Sequence, residues 1–346
     1  MKSSRYFSQR SLCYGVLLLA LLVAPWVGLY PVLGTKILCY ALFACAFHLL
    51  LGYTGLASLG HAAFLGGGGY VAGYATKAWG LTPELALLSG LLVGALLGLV
   101  VGFLSIRRHG IYFTMITLAL AQLVYFICVQ APFTRGEDGL QGIDRGMLFG
   151  VVDLYNDTSM YYTALLICVV AYLFIARVVH SPFGQVLKAI KDNEPRTVSL
   201  GYHPDRYKLV VFVLSAALTG LAGSLKALSM GFVTLSDVHW MTSGHALLMT
   251  LVGGLGTLSG PVVGAFVLVM LENKMGEVGR FLAHATGLSW FSTLGESVMM
   301  VMGIVFVICV LAFRRGIMGE LMALQQRLTS RRRQASAATV EKEDQP

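Results

Sequence analysis

The sequence predicts an all-α, polytopic helical membrane protein, and three observations carry that prediction. Hydrophobic residues make up 56% of the 346 positions and charged residues only 12%, against roughly 25% charged in ordinary soluble domains. Eight stretches contain no Asp, Glu, Lys or Arg: Ser11–Thr35, Ile37–Thr76, Leu85–Ile106, Ile111–Thr134, Thr158–Ala176, Leu209–Leu225, Val238–Leu271 and Ser297–Phe313. The charges between them are sorted by sign. A helix crosses hydrocarbon with about 20 apolar residues, so the two longest stretches each have room for two crossings. A soluble bundle of this composition would have almost nothing polar to show water.

Taken in order, Met1–Leu33 opens with Lys2, Arg5 and Arg10, which fits a cleaved signal peptide. The apolar run is long, however, is interrupted by Pro25 and is followed at once by further spans, so it reads as a retained first span. Short loops rich in Lys and Arg face the cytoplasm. Met1–Arg10, Ser105–Gly110, Arg177–Lys208 and Arg314–Arg333 are basic, whereas Ala131–Met160 holds Glu137, Asp138, Asp144, Asp153 and Asp157 against Arg135 and Arg145. Both termini are therefore expected inside and the acidic loop outside. The net charge of +8 is mostly this topology signal and requires no nucleic acid.

Parity then forces a detail. Returning Arg107 to the inside requires Ile37–Thr76 to cross twice, with a turn near Gly52–Gly60. Returning the tail requires the same of Val238–Leu271, with a break near Gly253–Pro261. The count becomes about ten. Both breaks carry a similar phrase: Gly55-Leu56-Ala57-Ser58-Leu59 and Gly254-Leu255-Gly256-Thr257-Leu258. Broken helices in matched positions predict inverted structural repeats around a transport route. Gly55, Ser58, His61, Gly66, Gly68, Gly254, Thr257 and Gly264 are thus candidates for a translocation path or repeat interface. The glycines of "GLASLGHAAFLGGGGY" serve either a path or close helix packing, since small residues let backbones approach in lipid. Gly94 is expected on a lipid-facing surface. His61 and His245 either line the route or sit satisfied at an interface, and Trp26, Trp79, Trp240 and Trp290 are expected at span ends.

His180–Lys208 reads as a cytoplasmic amphipathic element. Ser181 is a good N-cap and Pro182 suits the first helical position. Phe183, Val186, Leu187 and Ile190 then form an apolar stripe, and Pro195 stops or kinks the helix. Such a helix rests on the membrane surface or docks into a partner's groove. Spacing alone does not decide between these.

The phrases "GYTGLASLGHAAFLG", "SPFGQVLKAIKDNEP", "LGYHPDRYKL", "TLVGGLGTLSGPVVGAF" and "AFRRGIMGEL" resemble, in order, the inner-membrane permease of branched-chain amino acid ABC transporters, LivM type. Urea-type permeases of the same superfamily share much of the pattern. The resemblance implies an importer of branched-chain or other hydrophobic amino acids, with urea or a short-chain amide as the alternative. It also implies a second homologous permease subunit, cytoplasmic ABC ATPase subunits, a periplasmic binding protein and a bacterial inner membrane. In that family the inside loop carries a Glu-Ala-Ala-like element that couples to the ATPase. Carried over, Glu194 stands at the Glu and Gly201 at the closing glycine, beside the stripe Phe183, Val186, Leu187 and Ile190. Pro195 and Arg196 depart from the two alanines, which puts the contacts at those two positions in doubt.

The sequence has no phosphate-binding loop, so ATP is expected on the partner and no cofactor on this chain. H-E-x-x-H and G-x-S-x-G are also missing, which leaves no evident seat for catalysis or a metal. Span interiors are expected to be free of acids, with Glu272 and Glu296 near span ends. The six cysteines read as small buried hydrophobes. Residues 1–328 are read as the permease domain, with the coupling segment at 180–208, and 329–346 as a disordered cytoplasmic tail.

Overall fold

The computed structural model describes residues 21–26, 28, 30–286, 298–312 and 316–320. Most of the first span, Trp290 and the tail 329–346 lie outside the described residues. The elements are helices α1 (Pro31–Thr54), α2 (His61–Trp79), α3 (Pro83–Ser105), α4 (Ile111–Gln130), α5 (Asp157–His180), α6 (Pro182–Asp192), α7 (Glu194–Ser199), α8 (Pro204–Met230), α9 (Leu235–Val238), α10 (Trp240–Gly253), α11 (Gly260–Thr286) and α12 (Val298–Ala312). Five of them, α1, α3, α4, α5 and α8, are long and apolar enough to cross a membrane.

Burial sorts these helices. The apolar windows of α1 and α8 are 78% and 72% buried, but those of α3, α4 and α5 only 22–33%. So α1 and α8 form the centre, and the other three turn exposed leucine, valine and phenylalanine side chains outward, as a lipid-facing layer does.

The centre is held by small residues. Gly90, Gly94, Gly98 and Gly102 recur every fourth position on α3 and meet Ser224, Gly220, Ala216 and Phe212 of α8. On its other side α8 meets α2: a Cβ on Gly68 would sit 2.6 Å from the Gly220 carbonyl oxygen and 2.7 Å from its Cα. Here glycine is required because backbone faces backbone, the contact that drives helix association in lipid. Gly94, expected to face lipid, is corrected by this packing. A Cβ there would sit 2.5 Å from the Ala216 carbonyl oxygen and 3.0 Å from the Gly220 Cα.

The two ends of the bundle differ in charge. At the acidic end, two short antiparallel pairings cap the helices. β1 (Leu140–Gln141) pairs with β4 (Phe232–Val233), and β2 (Met147–Leu148) with β3 (Val152–Asp153). Arg145 fastens the acidic loop there, donating to Asp157 Oδ1 and the Ser229 carbonyl at 2.7 Å each. Helix α5, 24 residues long, carries the chain roughly 36 Å to the basic end, where α6 and α7 lie.

Both expected breaks are present and have the same length. α1 ends at Thr54 and α2 begins at His61; α10 ends at Gly253 and α11 begins at Gly260. Gly55 and Gly254, equivalent in the repeated phrase, both take positive φ at the helix C-cap, +75° and +114°. Their polarity differs from expectation. Gly69 meets Val233, Gly66 meets Val238, and the Ala62 amide donates to Ser243 Oγ. The chain from β4 into α10 therefore runs antiparallel to α2, as α1 does. The two phrase-marked units run in the same sense, so they are not themselves the halves of an inverted pair. Glu272, midway along the 27-residue α11, lies level with Lys36 near the start of α1.

Candidate functional site

The basic-end platform is built by local chemistry. Ser181 caps α6, its Oγ accepting from the Gly184 amide at 3.4 Å, with Pro182 in the first turn. Asn193 caps α7, its Oδ1 accepting from the Arg196 amide at 3.0 Å. Pro195 sits in the first turn of α7, where its missing N–H costs nothing. One helix therefore ends at Asp192 and a second begins at Glu194.

Two residues of the apolar stripe, Leu187 and Ile190, are buried in the chain's own bundle and Phe183 and Val186 are half-buried. Leu187 is 0% exposed and Ile190 3%. Leu187 packs in the same cluster as Leu50, Leu56, Val179 and Phe212. Phe183 stacks on Tyr207 at 5.6 Å and 26°, and Val186 is half-buried. The stripe glues α6 onto its own bundle. What the platform shows outward is Pro195, Arg196, Val198 and Leu200, the last two 55% and 68% exposed. Gly201, in the exposed turn after α7, donates its amide to the Val198 carbonyl at 2.9 Å, and nothing lies within 4 Å of its Cβ position.

Polar groups tie this platform to the first break. Lys191 donates to the Gly52 carbonyl at 2.8 Å, placing a cation on the unpaired carbonyls that end α1. Its Cγ would lie 3.5 Å from a Cβ on Gly55. Glu194 accepts from Lys208 Nζ at 2.5 Å, with His109 Nδ1 at 3.6 Å from its other oxygen. Lys208 is 2% exposed, so Glu194 is the partner that makes its burial tolerable. Between break and platform lies a hollow of about 460 Å³, lined by Thr54, Gly55, His109, Glu194 and Lys208 among others.

Inside the bundle the break residues are contacts. Ser58 Oγ accepts from the Gly60 amide at 3.2 Å. His61, fully buried, pairs through Nε2 with Ser215 Oγ at 2.8 Å, and Ser215 donates to the Ala46 carbonyl. The rings of Phe47, Phe64 and Phe212 stand edge-on around it at 5.1–5.8 Å. A Cβ on Gly264 would strike the Met249 carbonyl, and one on Gly66 the Val238 backbone. The Thr257 hydroxyl is buried without a partner among the described residues. His245 is half-buried on α10.

Sequence reasoning missed a set of charges. Lys226 pairs with Asp237, and Lys36 with Glu272 at 3.4 Å. The available signal was position: each of these residues borders a charge-free run, yet all four fall within helices.

Comparison with known proteins places this geometry in context. Residues 32–310 match the family model described as "Branched-chain amino acid transport system / permease component". The chain is 27% identical over 272 residues to the high-affinity branched-chain amino acid transport system permease protein LivM of Salmonella typhimurium. That match covers 72% of this chain and 64% of the relative, and the Escherichia coli counterpart gives the same figures. The chain thus spans about two thirds of the length of these relatives. It is also 25% identical over 212 residues to the autoinducer 2 import system permease protein LsrC of Yersinia pseudotuberculosis, covering 58% of each chain.

Proposed function

The chain belongs to the family of permease components of branched-chain amino acid transport systems, and from that premise we propose that it is the membrane-spanning subunit of an ATP-driven importer of branched-chain or other hydrophobic amino acids. A periplasmic binding protein delivers the substrate to the acidic end. Separate ATPase subunits dock at the basic end, and a second permease subunit completes the pathway. The chain itself binds no nucleotide. The observation that carries the reading is the tether from α6 to the first break. Lys191 grips the end of α1, Leu187 is sunk in the core and Glu194 holds α8 through Lys208. A load applied to α6 and α7 is delivered to α1 and α8, the two central helices. Rigid elements joined by buried contacts transmit displacement in this way.

Orientation is tested by labelling single cysteines in intact cells. A cysteine at Asp153 should react with a membrane-impermeant maleimide, and one at Lys191 only after lysis. Reaction of both from the same side refutes the orientation. Function is tested in vesicles holding the complete complex: uptake of labelled leucine should require both ATP and the binding protein. Uptake of leucine by this chain alone would make it a self-sufficient carrier. Uptake of urea but not leucine would favour the amide-transporting branch.

A further inference from the structure

A line of alternating charge crosses the bundle near its acidic end. Glu272 on α11 pairs with Lys36 on α1 at 3.4 Å. The Lys36 ammonium lies 5.9 Å from the ring centre of Tyr40, one turn further along α1. On the other side the Lys226 ammonium of α8 lies 5.3 Å from the same ring and pairs with Asp237 of α9. The inner pair is nearly sealed, with side chains 12% and 9% exposed; the outer pair is more open, at 27% and 42%. Lys36 is the ladder member that borders a hollow of about 1020 Å³, which reaches Met230, one turn beyond Lys226; Leu33, Phe266 and Met270 form apolar walls and Asn273, Lys274 and Glu277 a polar rim. Among the described residues the other lysine–carboxylate pair joining two helices is Lys208–Glu194, at the basic end.

Ionisable side chains within membrane helices are costly and mark substrate routes. A pair needed only to hold α9 against α8 is replaceable by apolar packing, often without loss of stability. Asp237 does serve α9 locally, its Oδ2 accepting from the Thr234 amide at 3.4 Å, but that bond needs no lysine. Resting on the amino acid reading above, we propose that this ladder is the uptake-side binding site for the zwitterionic backbone of an α-amino acid. An amino acid leaving water must keep a cation at its carboxylate and an anion at its ammonium, because a desolvated charge without a partner is strongly unfavourable. The ladder offers lysine ammonium groups to the carboxylate and Glu272 or Asp237 to the ammonium. The Tyr40 ring adds a face that attracts cations. The apolar walls of the hollow receive the aliphatic side chain.

The test uses the complete transporter in vesicles, with labelled leucine presented by the binding protein. The double variant Lys226→Met with Asp237→Leu removes the inner charges while keeping bulk, so no single charge is left buried. It should assemble with its partners and lose at least tenfold in leucine uptake. Wild-type uptake would make the pair a mere clamp and overturn the proposal. Should this variant not assemble, Lys36→Met with Glu272→Leu decides on the same criterion. Failure of both to assemble makes the ladder structural and also overturns the proposal. A wild-type complex that carries no amino acid refutes the functional reading itself. Wild-type uptake with no loss in the variants refutes only this site.

Discussion

Replacing Gly220 with leucine should destroy the packed bundle. Gly220 is where three helices meet. A Cβ there would strike the Gly90 carbonyl and lie 2.9 Å from the Gly94 Cα of α3, while Gly68 of α2 presses on its Cα and carbonyl from the other side. Overpacking usually costs about 1–3 kcal/mol because side chains can yield. Here the obstacles are backbone on both sides, so the helices must separate, and close packing is what holds helices together in lipid. Gly68→Leu should show the same defect to a lesser degree, since its contacts lie on one side. Gly303→Leu is the control, because Gly303 on α12 is exposed and nothing lies within 4 Å of its Cβ position. The measurement is the yield of monodisperse protein after detergent extraction and its thermal midpoint. Gly220→Leu should lose most of the yield, with Gly303→Leu unchanged. An unaltered midpoint for Gly220→Leu would show that the crossing of α3, α8 and α2 is looser than described.

That crossing also shows what the sequence can and cannot reveal. The glycines at 90, 94, 98 and 102 share one face of α3, and Leu88, Leu92 and Leu96 lie exposed on another. The spacing was legible, but its facing was not. In lipid, both a packed glycine and an exposed leucine are apolar, so hydropathy does not separate inside from outside as it does in water. The breaks were legible because charge fixes topology and topology fixes parity; no packing knowledge was needed. The caps at Ser181 and the split at Pro195 were legible as local chemistry. The ladder through Tyr40 was not, because its members come from α1, α8, α9 and α11, and only tertiary structure brings Lys226 to Asp237. The stripe on α6 was read correctly as a face but not as one turned toward its own chain, since amphipathicity says that a face is buried and never against what.

The second large effect follows from that last point and separates folding from docking. Leu187→Asp should act as a core mutation. The side chain is fully buried beside Leu50, Leu56 and Phe212, where a carboxylate finds no partner and costs several kcal/mol. The variant should still insert, because insertion is set by the spans. It should then lose thermal stability and, with it, ATPase association and uptake together. Leu200→Asp should do the opposite. Leu200 is 68% exposed just past α7, and a surface substitution there should move stability by no more than about 0.5 kcal/mol. If the outward face of Val198 and Leu200 is what the ATPase covers, a charge at its centre should reduce ATPase co-purification at least tenfold in a protein with an unchanged thermal midpoint. The pair of measurements, midpoint and co-purified ATPase, tells the two roles apart in one experiment. A Leu187→Asp protein with a wild-type midpoint but no bound ATPase would mean that the stripe itself is the docking surface. α6 would then have to lift off the bundle to expose it, breaking the Lys191–Gly52 contact through which the proposed tether reaches α1.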